Sequence, residues 1–208
     1  MTYPADLNET PPNPWDIVVR VTHWGIAAAV LLNGLVTEDG SGPHIWIGWA
    51  ALAALIVRFF WGFVGPKPAR FDAFLPDPKA AVAHLFDMLR GRPRDYASHN
   101  PAGAMMVYAL WGALFVVILT GLQMTDWKTP MSIANDRAAV AAGDWFVLAS
   151  DDHVADHDDH NDGLAKELHE FAANLMLLLA LLHVAGVVVE SHLLRRNLVQ
   201  AMLWKSNR

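Results

Sequence analysis

The chain of 208 residues contains no cysteine, and only 17 % of its residues are charged. The lack of cysteine excludes disulfides, thiolate-ligated metals, iron–sulfur clusters and covalent haem attachment through a Cys-x-x-Cys-His motif. The formal charge of −6 does not favour nucleic-acid binding. Any redox cofactor must therefore be held by histidine, methionine or carboxylate side chains.

Apolar residues dominate what is present. With 54 % hydrophobic residues and nine tryptophans, the composition is typical of a small integral membrane protein in contact with lipid. Four segments, at about residues 16–36, 44–65, 102–125 and 166–192, are apolar and long enough to cross a bilayer. We therefore expect an all-α membrane protein, a bundle of four transmembrane helices that forms a single domain over 1–208.

The basic residues are concentrated in two of the polar regions. Ten of the 15 Lys and Arg residues lie in the segment 66–101 or in the C-terminal tail. The connection at 37–43 has none, and the outer loop at 126–165 has only Lys128 and Arg137. By the positive-inside rule, we expect both termini in the cytoplasm and the two loops that are poor in basic residues outside.

The connector at 66–101 has its own helix signal at Asp77-Pro78, an N-cap followed by proline. We expect a short amphipathic helix on the cytoplasmic side, which either lies on the membrane surface or packs within the connector. Two histidines of this connector, His84 and His99, are expected to be solvated. The third spanning segment is predicted to start at Asn100-Pro101.

Histidines are arranged by depth in the spanning segments. His169 and His183 are fourteen residues apart in the fourth segment, which places them on nearly one helical face about 21 Å apart. The predicted topology places His44 near the outer end of the second segment and His23 toward the cytoplasmic end of the first. Depth therefore pairs His44 with His169 and His23 with His183.

Each pair offers two imidazoles from different helices and no other ligand type, which suits a low-spin b-type haem. Zinc would need four protein ligands, or three and a water. A single histidine at a membrane interface more often faces headgroups or a backbone carbonyl, but four that pair by depth favour haem. Arg58, inside the second segment, needs a partner such as a haem propionate. Arg20, one turn before His23, is a second candidate for that role.

The residues around these histidines resemble the bacterial cytochrome b561 family, in the group shared with the b-type subunits of nickel–iron hydrogenases. The similar segments are RVTHW at 20–24, HIWIG at 44–48, RFFWG at 58–62, HNPAG at 99–103, ELHE at 167–170 with Ala173-Asn174, LHVAG at 182–186 and RNLVQAM at 196–202. The resemblance implies a four-helix bundle of the bacterial inner membrane with two non-covalent b haems, held by the four paired histidines. It also implies electron transfer between the membrane quinone pool and a periplasmic partner or a small oxidant.

The outer loop departs from the family pattern in an acidic, histidine-rich insertion at about 136–163. This insertion is interpreted in three ways: a solvated acidic loop, a docking face for a basic periplasmic cytochrome or oxidoreductase subunit, or a second metal site. The metal interpretation uses His153, His157 and His160, because spacings of four and then three residues share a helical face.

Three functions remain at this point. The leading one is a di-haem cytochrome that exchanges electrons between quinone and a periplasmic partner. The alternative is an enzyme that oxidises superoxide and reduces quinone, although an acidic outer face repels an anion. A metal-ion transporter or sensor is remote, since the third segment has no ionisable group except Tyr108. Glu190 and His192 could exchange quinone protons, although a polar helix end is the favoured interpretation of both.

Overall fold

The computed structural model describes residues 15–92, 96, 99–149, 159–195 and 197–203. Its helices are α1 (Ile17–Leu35), α2 (Gly42–Val64), α3 (Pro78–Leu89), α4 (Pro101–Gln123), α5 (Pro130–Ala141), α6 (Phe146–Ala149) and α7 (Asp159–Leu193). Within these described ranges there is no strand, and α1, α2, α4 and α7 are long and apolar enough to cross a membrane. The prediction of an all-α protein with four spanning helices is confirmed.

Three helices begin at a capping residue followed by proline. Asp77, Asn100 and Thr129 accept a hydrogen bond from the backbone N–H three residues further on, at the starts of α3, α4 and α5. A proline at the first helical position loses nothing, because the N–H it lacks would have no helical partner there. The starts of α3 and α4 are those predicted from the sequence.

The spans differ from prediction mainly at the start of α7. α1, α2 and α4 begin and end within two residues of the predicted limits. In contrast, α7 begins at Asp159 rather than near 166, because hydropathy detects the apolar layer and not the polar helical turns that extend beyond it. The loop at 126–165 also contains α5 and α6, which were not predicted from the sequence.

The bundle pairs α1 with α2 and α4 with α7, and α3 packs against α4. Leu114 of α4 and Met176 of α7 are buried in its centre. Many apolar side chains face outward instead, among them Phe60 at 65 % and Leu181 at 66 % exposure. Such an outward apolar surface needs lipid around it, as expected of a multi-pass membrane protein.

Asp16 joins two helices at one end of the bundle. Its carboxylate caps α1 by accepting the N–H groups of Val18 and Val19. The other carboxylate oxygen accepts a hydrogen bond from Nε1 of Trp61, on α2, at 2.9 Å. This contact fixes the start of α1 beside the end of α2, the region in which His23 and Arg58 lie.

Candidate cofactor sites at the two ends of the bundle

Four histidines of the spanning helices meet in two pairs. The ring centroids of His23 on α1 and His183 on α7 are 6.3 Å apart. Those of His44 on α2 and His169 on α7 are 6.1 Å apart. These are the pairs derived from depth, and the two α7 positions lie about 21 Å apart along the helix axis.

The separation within each pair suits a single metal held between two imidazoles. A metal–imidazole bond is about 2 Å long, and the ring centroid lies about 1 Å behind the bonded nitrogen. Two imidazoles on opposite sides of one metal therefore have centroids about 6 Å apart. In the part of the chain that the structure describes, no group of three His, Asp or Glu side chains could hold a metal. A site with only two protein ligands fits a haem, whose porphyrin supplies the other ligands.

Thr120 of α4 orients the imidazole of His169. Its Oγ1 lies 3.0 Å from Nδ1 of His169, and it donates its single hydrogen to the carbonyl of Val116 at 2.8 Å. A hydroxyl that donates to this carbonyl can only accept from the imidazole, which favours the tautomer of His169 with the hydrogen on Nδ1. This tautomer leaves Nε2 free to bind a metal.

Thr37 does the same for His44. Its Oγ1 lies 3.3 Å from Nδ1 of His44 and donates to Oδ1 of Asn33 at 3.2 Å. The amide of Asn33 in turn donates to the backbone carbonyl of His44 at 2.9 Å. Each histidine of this pair, called the outer pair after its predicted position, thus has a threonine hydroxyl beside Nδ1, which favours the tautomer that leaves Nε2 for a metal.

The outer pair lines an open cavity of about 1150 Å³. This is above the range of about 300–1000 Å³ for ordinary small-molecule pockets, so a macrocycle can enter. Gly48 lies on its wall, and a Cβ there would meet nothing within 4 Å. Gly121 lets α4 approach His169 closely, since a Cβ at this position would lie 3.2 Å from Cε1 of the imidazole.

The mouth of this cavity carries charges of both signs. Its lining contains four acidic and three basic side chains, namely Asp39, Asp126, Asp136, Glu170, Lys128, Arg137 and Lys166. Lys128 lies 3.3 Å from Asp136, and Lys166 lies 3.9 Å from Glu170. The basic side chains therefore offset most, but not all, of the acidic charge that lines this cavity.

The second metal site predicted from the loop stays a prediction. His153 and His157 lie outside the described residues, and of His160 only the helical backbone is described.

The pair of His23 and His183, called the inner pair after its predicted position, has a different environment. Nδ1 of His23 is buried and has no hydrogen-bond partner among the described residues. Arg58 is 6 % exposed and donates to the carbonyl of Ala69 through both terminal nitrogens, at 3.3 Å each. Its guanidinium carbon lies 5.0 Å from the ring centroid of Trp111. Three of its five N–H groups remain for another acceptor, so a role toward a propionate stays a prediction.

Arg20 is held by backbone carbonyls at the same end. Its Nε donates to the carbonyl of Trp15 at 3.0 Å, and a terminal nitrogen donates to that of Leu203 at 3.3 Å. These bonds orient the guanidinium without a carboxylate partner among the hydrogen bonds described. Its proposed contact with a propionate is likewise untested.

The prediction that His84 and His99 are solvated is wrong. His84 is 2 % exposed, because α3 turns this face toward α4. The ring of His99 packs between Trp15 and Phe74, with centroids 4.7 and 4.5 Å away. Burial, together with the nearby positive charge of Arg58, lowers the pKa of His99 to about 4. No periodicity of the connector indicated this packing, because it depends on how the connector folds back onto the bundle.

The chain matches the prokaryotic cytochrome b561 family over residues 14–205, almost the whole sequence. No curated protein and no solved structure matches it. The narrower link to hydrogenase subunits stays a prediction. The family match, four spanning helices and paired histidines agree, and the chain belongs to the prokaryotic cytochrome b561 family.

Proposed function

We propose that this membrane b-type cytochrome holds two haems, one between His23 and His183 and one between His44 and His169, and carries electrons across the membrane. The observation that supports this most strongly is the spacing of the paired imidazoles, 6.3 and 6.1 Å, at two levels of α7. A bound haem supplies one-electron chemistry. The four histidines of the chain would hold the two haems through their ring nitrogens, and its apolar helices set the distance between the two sites.

The remaining residues have supporting roles in this proposal. Thr37 and Thr120 fix the orientation of the outer imidazoles. Leu114 and Met176, both buried in the bundle centre, exclude water between the two sites. Arg58 and Arg20 are proposed to bind haem propionates. All of these residues belong to one proposed domain over 1–208.

The proposed electron donor or acceptor inside the membrane is quinone, and the proposed partner outside is a periplasmic redox protein. The distribution of basic residues supports cytoplasmic termini in a bacterial inner membrane, with His44 and His169 outward. On this orientation the outer cavity opens toward the periplasm. The acidic residues of the loop at 126–165 are proposed to attract a basic partner.

Transfer across a vesicle membrane tests the proposal. The haem-loaded chain is placed in vesicles that enclose ferricyanide, and a membrane-impermeant reductant is added outside. We expect ferricyanide reduction with the wild-type chain, none with His169→Ala or His183→Ala, and normal reduction with the matched control His192→Ala. A wild-type chain that carries no electrons, or transfer that persists after one haem is lost, would contradict the proposal.

Superoxide oxidation with quinone reduction is the second candidate. Two superoxide ions would each give one electron and leave as O₂, and the two electrons with two protons would convert quinone to quinol. The observation that favours it is that Lys128, Arg137 and Lys166 line the cavity of His44 and His169 and offset three of the four acidic charges there. In this case superoxide should reduce the haems directly, and Lys166→Gln should slow that step. If haem reduction is no faster than without superoxide, this candidate fails.

A further inference from the structure

A polar cluster lies outside the two cofactor sites, where α3 packs against α4 and α7. Nε2 of His84, on α3, is 3.9 Å from Oε1 of Glu190, on α7. The side-chain amide of Asn100, the N-cap of α4, donates a hydrogen bond to Oε2 of Glu190. The ring centroid of Tyr96 is 5.4 Å from that of His84. Three separate segments thus meet around one imidazole and one carboxylate.

His84 is poorly satisfied in this position. It is 2 % exposed, and neither ring nitrogen has a hydrogen-bond partner within the described ranges. A buried polar group without partners is costly and therefore uncommon. A proton added to His84 would lie next to the carboxylate of Glu190. The negative charge of that carboxylate would stabilise the positive charge of the protonated imidazole.

The pair is close to the inner cofactor site. Glu190 follows His183 by seven residues in α7, which puts it within about 20° of the same face and about 10 Å further along the helix. One unit of charge at about 10 Å, with an effective dielectric constant of about 20, changes a proton affinity by about tenfold. Reduction of a haem at His183 would therefore raise the proton affinity of the pair formed by His84 and Glu190.

We propose that His84 and Glu190 form a proton-binding site that is coupled to reduction of the haem between His23 and His183. This inference rests on the proposed function, because it requires a haem at that site. If a haem held there were reduced by the proposed quinone or redox partner, the pair would take up one proton from the water on its side of the membrane, and it would release that proton when the electron is passed on.

Thermodynamic linkage between proton binding and haem reduction gives the sign and the size of the change in reduction potential with pH. Since the reduced state binds the proton about tenfold more tightly, a proton favours reduction by the same factor. The potential of the inner haem is therefore highest at low pH and falls by about 59 mV in total as pH rises. His99 is the other histidine near this site, but with a pKa of about 4 it stays neutral near neutral pH.

Redox titrations of the haem-loaded full chain, followed by visible spectra between about pH 5.5 and 8.5, test the inference. We expect one haem potential to fall with pH and the other to stay nearly constant. Glu190→Gln, which keeps the shape and the contact with Asn100, should remove the dependence, and His84→Gln should do the same. His192→Gln is the matched control, because this exposed histidine lies two residues beyond Glu190 on α7, and the dependence should remain.

The inference is overturned if both potentials are independent of pH in the wild-type chain, or if the dependence survives in both variants. If either Glu190→Gln or His84→Gln fails to fold, the pH dependence measured in the other variant tests the inference. A chain with two haems and constant potentials refutes only this inference. A chain without haem at His183 refutes the proposed function as well, so the two failures are distinguishable.

Discussion

The hydroxyl of Thr120 lies 3.0 Å from Nδ1 of His169 and donates its own hydrogen to a carbonyl of α4. It is therefore an acceptor toward the imidazole, and the ring presents Nε2 to the space between the helices. Thr37 has the same relationship to His44. In contrast, Nδ1 of His23 has no such partner among the described residues. The two sites thus hold their ligands differently, and this difference has measurable consequences.

Thr120→Val keeps the side-chain shape and removes the hydroxyl. The imidazole of His169 then loses an acceptor that makes it more basic, so the oxidised haem is less stabilised and the outer potential should rise. Affinity for the outer haem should fall by about 10- to 100-fold. Redox titration and haem retention in detergent measure both effects.

Two variants control this prediction. Thr120→Ser retains the hydroxyl and should behave like the wild-type chain. Thr125→Val removes a hydroxyl that bonds only backbone carbonyls in the hydrogen bonds described, and both haems should keep their potentials. If Thr120→Ser is as defective as Thr120→Val, the hydroxyl is not the cause.

Arg58→Met should lower the potential of the inner haem. The guanidinium is buried and positive, so it favours the reduced and less positive haem; its removal takes that stabilisation away. Arg58→Lys retains the charge and should shift the potential less. A potential that stays constant in Arg58→Met would show that this charge does not act on the inner haem.

His99 makes stability depend on pH. Burial lowers its pKa to about 4, while an unfolded chain binds a proton there below about pH 6.5. The free energy of unfolding should therefore fall by up to about 3 kcal/mol as the pH decreases from about 6.5 to 4. Thermal unfolding in detergent at pH 7 and 4.5 measures this loss. His99→Phe, which can pack against Trp15 and Phe74, should lose less stability over that interval, and an equal loss would contradict the assignment.

The acidic stretch at 150–162 is proposed as a docking surface for a basic partner. Replacing its aspartates by asparagine should leave both haems bound, because no paired histidine lies in it. Electron transfer to a basic soluble c-type cytochrome should slow at low ionic strength and lose much of its salt dependence. Stopped-flow kinetics at several salt concentrations measure this. Unchanged rates would rule out docking at this stretch.

Local signals in the sequence predicted much of the fold. Four apolar segments gave the spans, and Asp77-Pro78 and Asn100-Pro101 gave two helix starts. The histidine pairs followed from helix geometry and topology, since fourteen residues separate His169 from His183. These predictions depend on hydropathy, helix periodicity, capping chemistry and the distribution of basic residues, all of which can be read directly from the sequence.

The missed features depend on packing between distant segments. His84 and His99 are enclosed because the connector folds back onto α4, which no local pattern encodes. The contact of Thr120 with His169 could have been predicted, because a threonine near this end of the third span lies at the depth of His169. Residues 150–158 lie outside the described residues, so the nature of the acidic loop remains a prediction.

The amount of haem bound by each variant tests the central claim most directly. Purified after expression with ample haem, the wild-type chain should hold about two b haems, each with two imidazoles by electron paramagnetic resonance. His183→Ala should lose the inner haem alone and His169→Ala the outer haem alone. One haem in the wild-type chain, or loss from the His44 site when His183 is replaced, would contradict the account.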